Sequence, residues 1–134
     1  ILSEVVERLS RHVDRLSLSI FAPLGVQLPL NNAWNGAGDT RHVILPLDRY
    51  RLAHFMGECD LLLDASLHEG FGLVPLEAMA TGCTVVSSDS GGIREFLVDD
   101  VNGVLVENGL SPERFVEAVM SVVNDPDKLR RLQA

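Results

Sequence analysis

The first half of the chain changes from a helical to an alternating spacing of apolar residues. From Ser3 to Val13 apolar residues recur at helical spacing with charged residues on the opposite face, which predicts an amphipathic helix. Residues 16–21 alternate between apolar and serine positions and precede Pro23, as expected for a half-buried strand that enters a loop. The pattern then predicts a long polar loop over Leu24–Arg41, a short strand over Val43–Leu45 and a helix over Arg51–Cys59.

The second half repeats a strand and a helix three times. The apolar run at 61–63 is typical of a strand buried on both faces of a sheet. Residues 84–86 predict the next buried strand, and residues 104–106 predict another strand. The helical patterns that follow them end at Gly82, pass through Phe96 and Leu97, and begin at Ser111 with Pro112 in the first turn. Alternation at this spacing predicts an α/β fold: a Rossmann-like parallel sheet flanked by helices, with right-handed crossovers.

Composition argues against several kinds of partner and cofactor site. With 134 residues the chain is expected to form a single domain, residues 1–134. Its formal net charge of −8 argues against nucleic acid and anionic membranes as partners. Lys128 is the only lysine and lies near the C-terminus, so neither a Walker-type phosphate loop nor a pyridoxal phosphate site is expected.

Cysteine usage and the chain start predict a cytoplasmic location. Cys59 and Cys83 are too few for a disulfide framework and are interpreted as buried thiols in a reducing compartment. No apolar run is long enough for an integral membrane segment, and the start lacks a signal-peptide layout. Because the chain begins inside a helical pattern without an initiator methionine, we interpret it as a fragment of a longer protein.

The segment Ala65–Gly82 carries the most informative chemistry. In an open parallel sheet, ligands bind beyond the carboxyl ends of the strands, and this segment follows one such end. Gly70 and Gly72 remove side chains that would keep a ligand from the backbone, and Pro75 suits a first helical turn. The amides of residues 71–74 would then be free to bind an anion or a hydroxyl group.

Two glutamates flank this predicted phosphate cradle. A carboxylate such as Glu77 can accept two hydrogen bonds and so matches the vicinal diol of a ribose. Glu69 could be a solvated loop acid, and Glu77 an exposed helix residue. Glu77 lies between Leu76 and Ala78, and a charge among apolar neighbours is expected to have a partner.

These motifs resemble those of a known family. The strings EGFGLVPLEAMATG and TVVSSDSGGIREFLVDDVNGVLVE resemble the C-terminal, donor-binding domain of retaining GT-B glycosyltransferases of the glycosyltransferase family 4 kind. The resemblance is clear over Val43–Ala134, with the Glu69 and Glu77 pair, Phe71, Gly72, Glu95 and the pair Gly91 and Gly92 in register. It implies the C-terminal half of a GT-B fold.

The resemblance also implies an activity, the transfer of a sugar from a nucleotide diphosphate sugar to an acceptor with retention of configuration. Glu69 would orient the sugar as the catalytic residue, and Glu77 would bind the ribose. The donor-binding set would comprise Gly70, Phe71, Gly72, Leu73, Glu77, Gly91 and Gly92. No metal or other cofactor is expected, so helix termini and basic side chains would stabilise the leaving diphosphate. The partner would be an N-terminal acceptor domain, absent from this chain.

The chain departs from the family pattern near the phosphates. Ala65 stands where the family usually has proline, and the glycine-rich turn after the first strand is reduced to residues 23–25. The arginine and lysine that clamp the diphosphate in the family would lie upstream of Ile1. A non-catalytic nucleotide or nucleotide-sugar binding module therefore stays open as an alternative function. A phosphorylase is disfavoured because the required lysine is missing.

The remaining candidates have mainly structural interpretations. Asp99 and Asp100 are more typical of a turn than of a metal site, and Glu95 of an acid in the first turn of a helix. Gly91 and Gly92 could form a tight turn or let the donor approach the backbone, and both interpretations stay open. His68 and Trp34 are more typical of loop residues than of contacts to the sugar or acceptor, and His12, His42 and His54 lack ligand spacing.

Overall fold

The computed structural model describes residues 1–13, 16–22, 40–44, 47–68, 70–107 and 111–133. The chain forms two compact units, Ile1–Asp48 and Arg49–Ala134. That the two together make one domain stays a prediction, because this division does not test whether they fold cooperatively.

The first unit contains one helix and two strands. Helix α1 (Leu2–Leu9) buries Val5, Val6 and Leu9, and its charged face carries i,i+4 ion pairs from Glu4 to Arg8 and from Glu7 to Arg11. It ends four residues before the predicted end, where the Ser10 hydroxyl donates to the carbonyl of Glu7. Strands β1 (Leu18–Ala22) and β2 (Thr40–Ile44) pair in parallel along their whole lengths.

The predicted loop over Leu24–Arg41 ends too late. Thr40 and Arg41 belong to β2, which therefore begins three residues before the predicted strand. Apolar runs mark the centre of a strand better than its polar ends. Residues 24–39 of the loop, including Trp34, lie outside the described residues.

The second unit is built on a parallel sheet, as predicted. Strands β3 (Leu61–Asp64), β4 (Thr84–Ser88) and β5 (Val104–Val106) lie in the order β3-β4-β5. Leu61 pairs with Thr84 and Asp64 with Ser87, so the carboxyl ends of β3 and β4 meet at one edge. β4 is buried at every position, but β3 is only half-buried, so the prediction that β3 is buried on both faces was wrong. Among the described strands of this sheet, β3 pairs with β4 alone, whereas β4 has a neighbour on each side.

In the described part of this unit, five helices accompany these strands: one precedes β3, one follows each of β3 and β4, and two follow β5. They are α2 (Arg49–Gly57), α3 (Leu73–Ala80), α4 (Pro112–Val123), α5 (Pro126–Leu132) and a 3₁₀ helix over Gly92–Glu95. The 3₁₀ helix replaces the short helix predicted through Phe96 and Leu97. α4 begins as predicted, with the hydroxyl of Ser111 accepting from the amide of Arg114 at 3.4 Å. α5 was not predicted.

The core between the sheet and its helices contains Met56, Ala78, Cys83, Val85, Ile93 and Leu97, each at most 2% exposed. Cys59 and Cys83 are free thiols. Burial raises the pKa of Cys83 to about 12, so this thiol stays protonated at neutral pH and packs as an apolar side chain. Cys83 is buried as predicted, whereas Cys59 is only half-buried. Among the described helices, none is long and apolar enough to span a membrane.

Candidate donor-binding site

Two loops leave the edge where β3 and β4 end. One comprises residues 65–72, between β3 and α3, and is called the donor loop below. The other comprises residues 89–91, between β4 and the 3₁₀ helix. Hydrogen bonds tie the start of the donor loop to β4: the Ser87 hydroxyl donates to the Asp64 carboxylate, and the Ser88 hydroxyl donates to the carbonyl of Ser66.

The first residue of the 3₁₀ helix, Gly92, lies against the backbone of the donor loop. A Cβ atom placed on Gly92 would lie 2.4 Å from the carbonyl oxygen of Gly70 and 2.8 Å from the Cα of Phe71. Gly91 has a φ of 94°, a conformation that other residues rarely adopt. These observations support the tight-turn interpretation of the two glycines. Their contact with a donor stays a prediction.

Helix α3 begins at this edge, and its first backbone amides have no acceptor within the helix. Its first intrahelical hydrogen bond runs from the amide of Leu76 to the carbonyl of Gly72, at 3.1 Å. The amides of Gly72, Leu73 and Val74 therefore have no acceptor within the helix, and Pro75 has no N–H. Gly72 provides no side-chain cap. The side chains of Leu73 and Val74 are exposed, so the start of the helix is open to a ligand.

Gly72 and Phe71 hold the junction between the donor loop and α3. Gly72 has a φ of 88°, and a Cβ atom there would lie 3.3 Å from the ring of Phe96. The Phe71 ring packs against Phe96, with ring centroids 5.5 Å apart and a tilt of 48°. Gly70 differs, because nothing lies within 4 Å of the Cβ atom it lacks.

Glu77 lies just over one turn into α3 and has the partner that its apolar neighbours led us to expect. Its Oε1 accepts a hydrogen bond from Nη2 of Arg49 at 3.2 Å. The side chain of Glu77 is 32% exposed and that of Arg49 is 84% exposed, so a ligand can reach this carboxylate. Sequence reasoning missed Arg49, which begins α2, because 28 residues separate it from Glu77 and no local pattern connects them.

Glu69, the predicted catalytic residue, lies outside the described residues, and its role stays a prediction. Its neighbour His68 is exposed. Of the other histidines, His12 is 2.8 Å from the carbonyl of Arg8 and His54 is 3.4 Å from Glu58. These contacts agree with the structural interpretation of these two residues. The side chain of His42 lies outside the described residues.

Asp99 and Asp100 form a turn, as their sequence context suggested. Asp99 accepts from the amide of Leu105, and the amide of Asp100 donates to the carbonyl of Gly103, both at 2.9 Å. Lys128 lies 2.8 Å from Asp100 and lowers the pKa of that carboxyl group. In the part of the chain that the structure describes, no three His, Cys, Asp or Glu residues are grouped so that they could hold a metal ion.

A parallel sheet flanked by helices is the architecture of a Rossmann-like domain, a class in which ligands bind beyond the carboxyl ends of the strands. The chain matches the family described as "Glycosyl transferases group 1" over residues 33–134. It therefore belongs to this family, whose solved members among its structural neighbours have the GT-B fold.

Three similar proteins illustrate the relationship. A D-inositol 3-phosphate glycosyltransferase from Xylanimonas cellulosilytica is 38% identical over 74% of this chain and 24% of its own length. The C-terminal domain of a group 1 family glycosyl transferase from Francisella tularensis has 28% identity and a TM-score of 0.64, over 74% of this chain and 50% of that one. Anabaena HepE, solved in complex with UDP and glucose, has 27% identity and a TM-score of 0.63, over 71% of this chain and 25% of its own. The chain thus spans about a quarter of the length of the curated relatives it matches.

Proposed function

We propose that this chain is the donor-binding part of a retaining glycosyltransferase that takes a nucleoside diphosphate sugar. The observation that carries the proposal is the start of α3, where the amides of Gly72, Leu73 and Val74 lack helical acceptors about one turn from the accessible carboxylate of Glu77. Amides at a helix N-terminus suit a diphosphate, and a carboxylate suits a ribose. The UDP and glucose bound in Anabaena HepE support this choice of ligand class.

The residues take the following roles in this proposal. Glu77 accepts hydrogen bonds from the two ribose hydroxyls, and the amides of Phe71, Gly72 and Leu73 bind the diphosphate and sugar hydroxyls. Glu69 orients the sugar ring for attack. Gly70, Gly91 and Gly92 let the backbone of the two loops approach the donor. The leaving diphosphate is stabilised by α3 rather than by a metal.

The acceptor is held by another domain of the full-length protein. The matched relatives are about four times as long as the segment they share with this chain, which leaves room for such a domain. Closure of two domains over the donor would exclude water and align the acceptor with the anomeric carbon.

The role of Glu77 can be tested by nucleotide binding. Isothermal titration with UDP, GDP and ADP first identifies the preferred base, and that nucleotide is then titrated into Glu77→Gln. Gln keeps the shape of the side chain and can still accept from Arg49, but it loses a charge-assisted acceptor, so we expect binding to weaken by about 1–3 kcal/mol.

The control is Glu117→Gln, which removes one charge from the exposed surface of α4 and should leave affinity unchanged. The 2′-deoxy nucleotide should bind the unmodified chain less tightly than its ribose form. Equal affinity for the two would contradict the assignment of Glu77 to the ribose. Nucleotide binding without transfer in the full-length protein would favour a non-catalytic binding module instead.

Substitution of Glu69 is expected to change turnover rather than nucleotide affinity. In the full-length enzyme, Glu69→Ala should lower turnover while leaving nucleoside diphosphate affinity nearly unchanged, because a misplaced sugar loses the alignment needed for transfer. Loss of nucleotide binding with normal turnover at saturating donor would reverse the roles of Glu69 and Glu77.

A further inference from the structure

A network of side-chain hydrogen bonds holds the start of the donor loop. Asp64 Oδ1 accepts from both the amide of Ser66 at 3.0 Å and its hydroxyl at 2.5 Å, and Oδ2 accepts from the Ser87 hydroxyl at 3.2 Å. The Ser88 hydroxyl donates to the carbonyl of Ser66. Asp64 at the end of β3 and Ser88 at the end of β4 therefore hold Ser66 in place, and Ser87 of β4 holds Asp64.

The contact from the Asp64 carboxylate to the amide two residues later is an Asx turn. Such a turn sets the direction in which the chain leaves a strand. Without the carboxylate, Ala65 and Ser66 would lose a local constraint at the point where the donor loop begins. The Ser87 contact then links this turn to the neighbouring strand, so the position of the loop depends on the sheet.

The other end of the donor loop is anchored independently. Gly70 and Phe71 lie against Gly92, and α3 is anchored by the buried residues Pro75 and Ala78. Glu69 lies between the two anchors in the sequence, three residues after Ser66 and directly before Gly70. Asp64 thus constrains the entry to the loop segment that carries Glu69, whereas α3 does not depend on it.

We propose that Asp64 is a positioning residue for sugar transfer, acting through the donor loop; this inference rests on the proposed function. A direct contact with substrate is not required of Asp64, because both of its oxygens accept hydrogen bonds from serines of the fold. An aspartate after three consecutive leucines at the end of β3 serves the loop, since a fourth apolar residue could not close this turn.

The test compares Asp64→Ala with Asp64→Asn in the full-length enzyme. Alanine removes all three hydrogen bonds, and we expect kcat to fall roughly 10- to 100-fold. The Kd for free nucleoside diphosphate should remain nearly unchanged, because α3 and Glu77 keep their places. Asparagine can still accept from Ser66 through Oδ1 and should recover most of the turnover.

Two further variants keep the result interpretable. Asp125→Ala removes a carboxylate that accepts two backbone amides at the start of α5, outside the donor loop, and should leave kcat unchanged. Where Asp64→Ala does not fold, Ser87→Ala removes the bond to Oδ2 together with a local bond from the Ser87 hydroxyl to the carbonyl of Ser88, and leaves the Asx turn of Asp64 in place. It should lower kcat by a smaller factor in the same direction.

The possible outcomes separate this proposal from the function on which it rests. Unchanged kcat in Asp64→Ala would overturn the positioning role alone. A parallel loss of kcat and nucleotide affinity that follows lowered thermal stability, without recovery in Asp64→Asn, would also overturn it and assign Asp64 to stability. Absence of nucleotide binding and transfer in the unmodified enzyme would overturn both proposals.

Discussion

The glycines around the donor loop differ in what their missing side chains do. Gly92 allows one loop to lie against the backbone of the other, and Gly91 adopts a conformation that disfavours other residues. Among the described residues outside its own chain neighbours, no atom lies within 4 Å of the position of the missing Cβ of Gly70. A structural need thus explains Gly91 and Gly92, whereas the space beside Gly70 is where we expect a ligand to approach.

The contrast predicts opposite results for two alanine substitutions. Gly92→Ala places a Cβ against the immobile carbonyl of Gly70, so we expect destabilisation of about 1–3 kcal/mol. Gly70→Ala meets no atom and should change stability by less than about 0.5 kcal/mol. Urea unfolding of both variants measures these changes.

Nucleotide titration of Gly70→Ala adds information that stability cannot provide. A stable variant with weakened binding would place the ligand beside Gly70. If Gly92→Ala were as stable as the unmodified chain, the close approach of the two loops would be contradicted.

At the scale of elements, α5 is a short helix with stabilising capping and charge interactions at both of its ends. The Asp125 carboxylate accepts from the amides of Asp127 and Lys128, Pro126 occupies the first turn, and Arg130 and Arg131 lie in the last turn. Lys128 and Arg131 pair with Asp100, and Leu132 is buried. Capping and charge pairs therefore stabilise this short helix in addition to the burial of Leu132.

Removal of the cap should destabilise α5 measurably. We expect Asp125→Ala to cost about 1 kcal/mol, because two backbone amides lose their acceptor. Asp125→Asn should restore most of this, since asparagine caps helices about as well as aspartate. Hydrogen exchange of residues 127–133 measures the effect, and equal protection in all three proteins would contradict it.

At the scale of the whole molecule, we expect this chain to bind the donor nucleotide without transferring the sugar. The matched relatives are about four times longer than the segment they share with this chain, and transfer needs an acceptor held against the donor. We therefore expect the 134-residue chain to bind nucleoside diphosphate weakly and to transfer no sugar. Release of labelled sugar onto an acceptor, above a Glu77→Ala control, would contradict this expectation.

The order of strands and helices could be predicted because it depends on local periodicity. Apolar runs located β3, β4 and β5, and Ser111 with Pro112 marked the start of α4 correctly. α5 escaped prediction because it has few apolar positions, although Asp125 and Pro126 are a recognisable start signal. The burial of β3 was overestimated because a run of leucines does not show how completely the neighbouring elements cover a strand.

The residues of the candidate site that could be predicted are likewise those that lie close together in the sequence. Glu77, Gly72 and the amides at the start of α3 lie within a few residues of one another, so a short motif was enough to single them out. Arg49 beside Glu77, Ser87 beside Asp64 and Gly92 against Gly70 come from segments 22 to 28 residues apart in the chain. The contacts of Ser87 and Gly92 arise when β3 and β4 align their carboxyl ends, and the contact of Arg49 arises when α2 packs beside α3. No local periodicity encodes which of these segments meet.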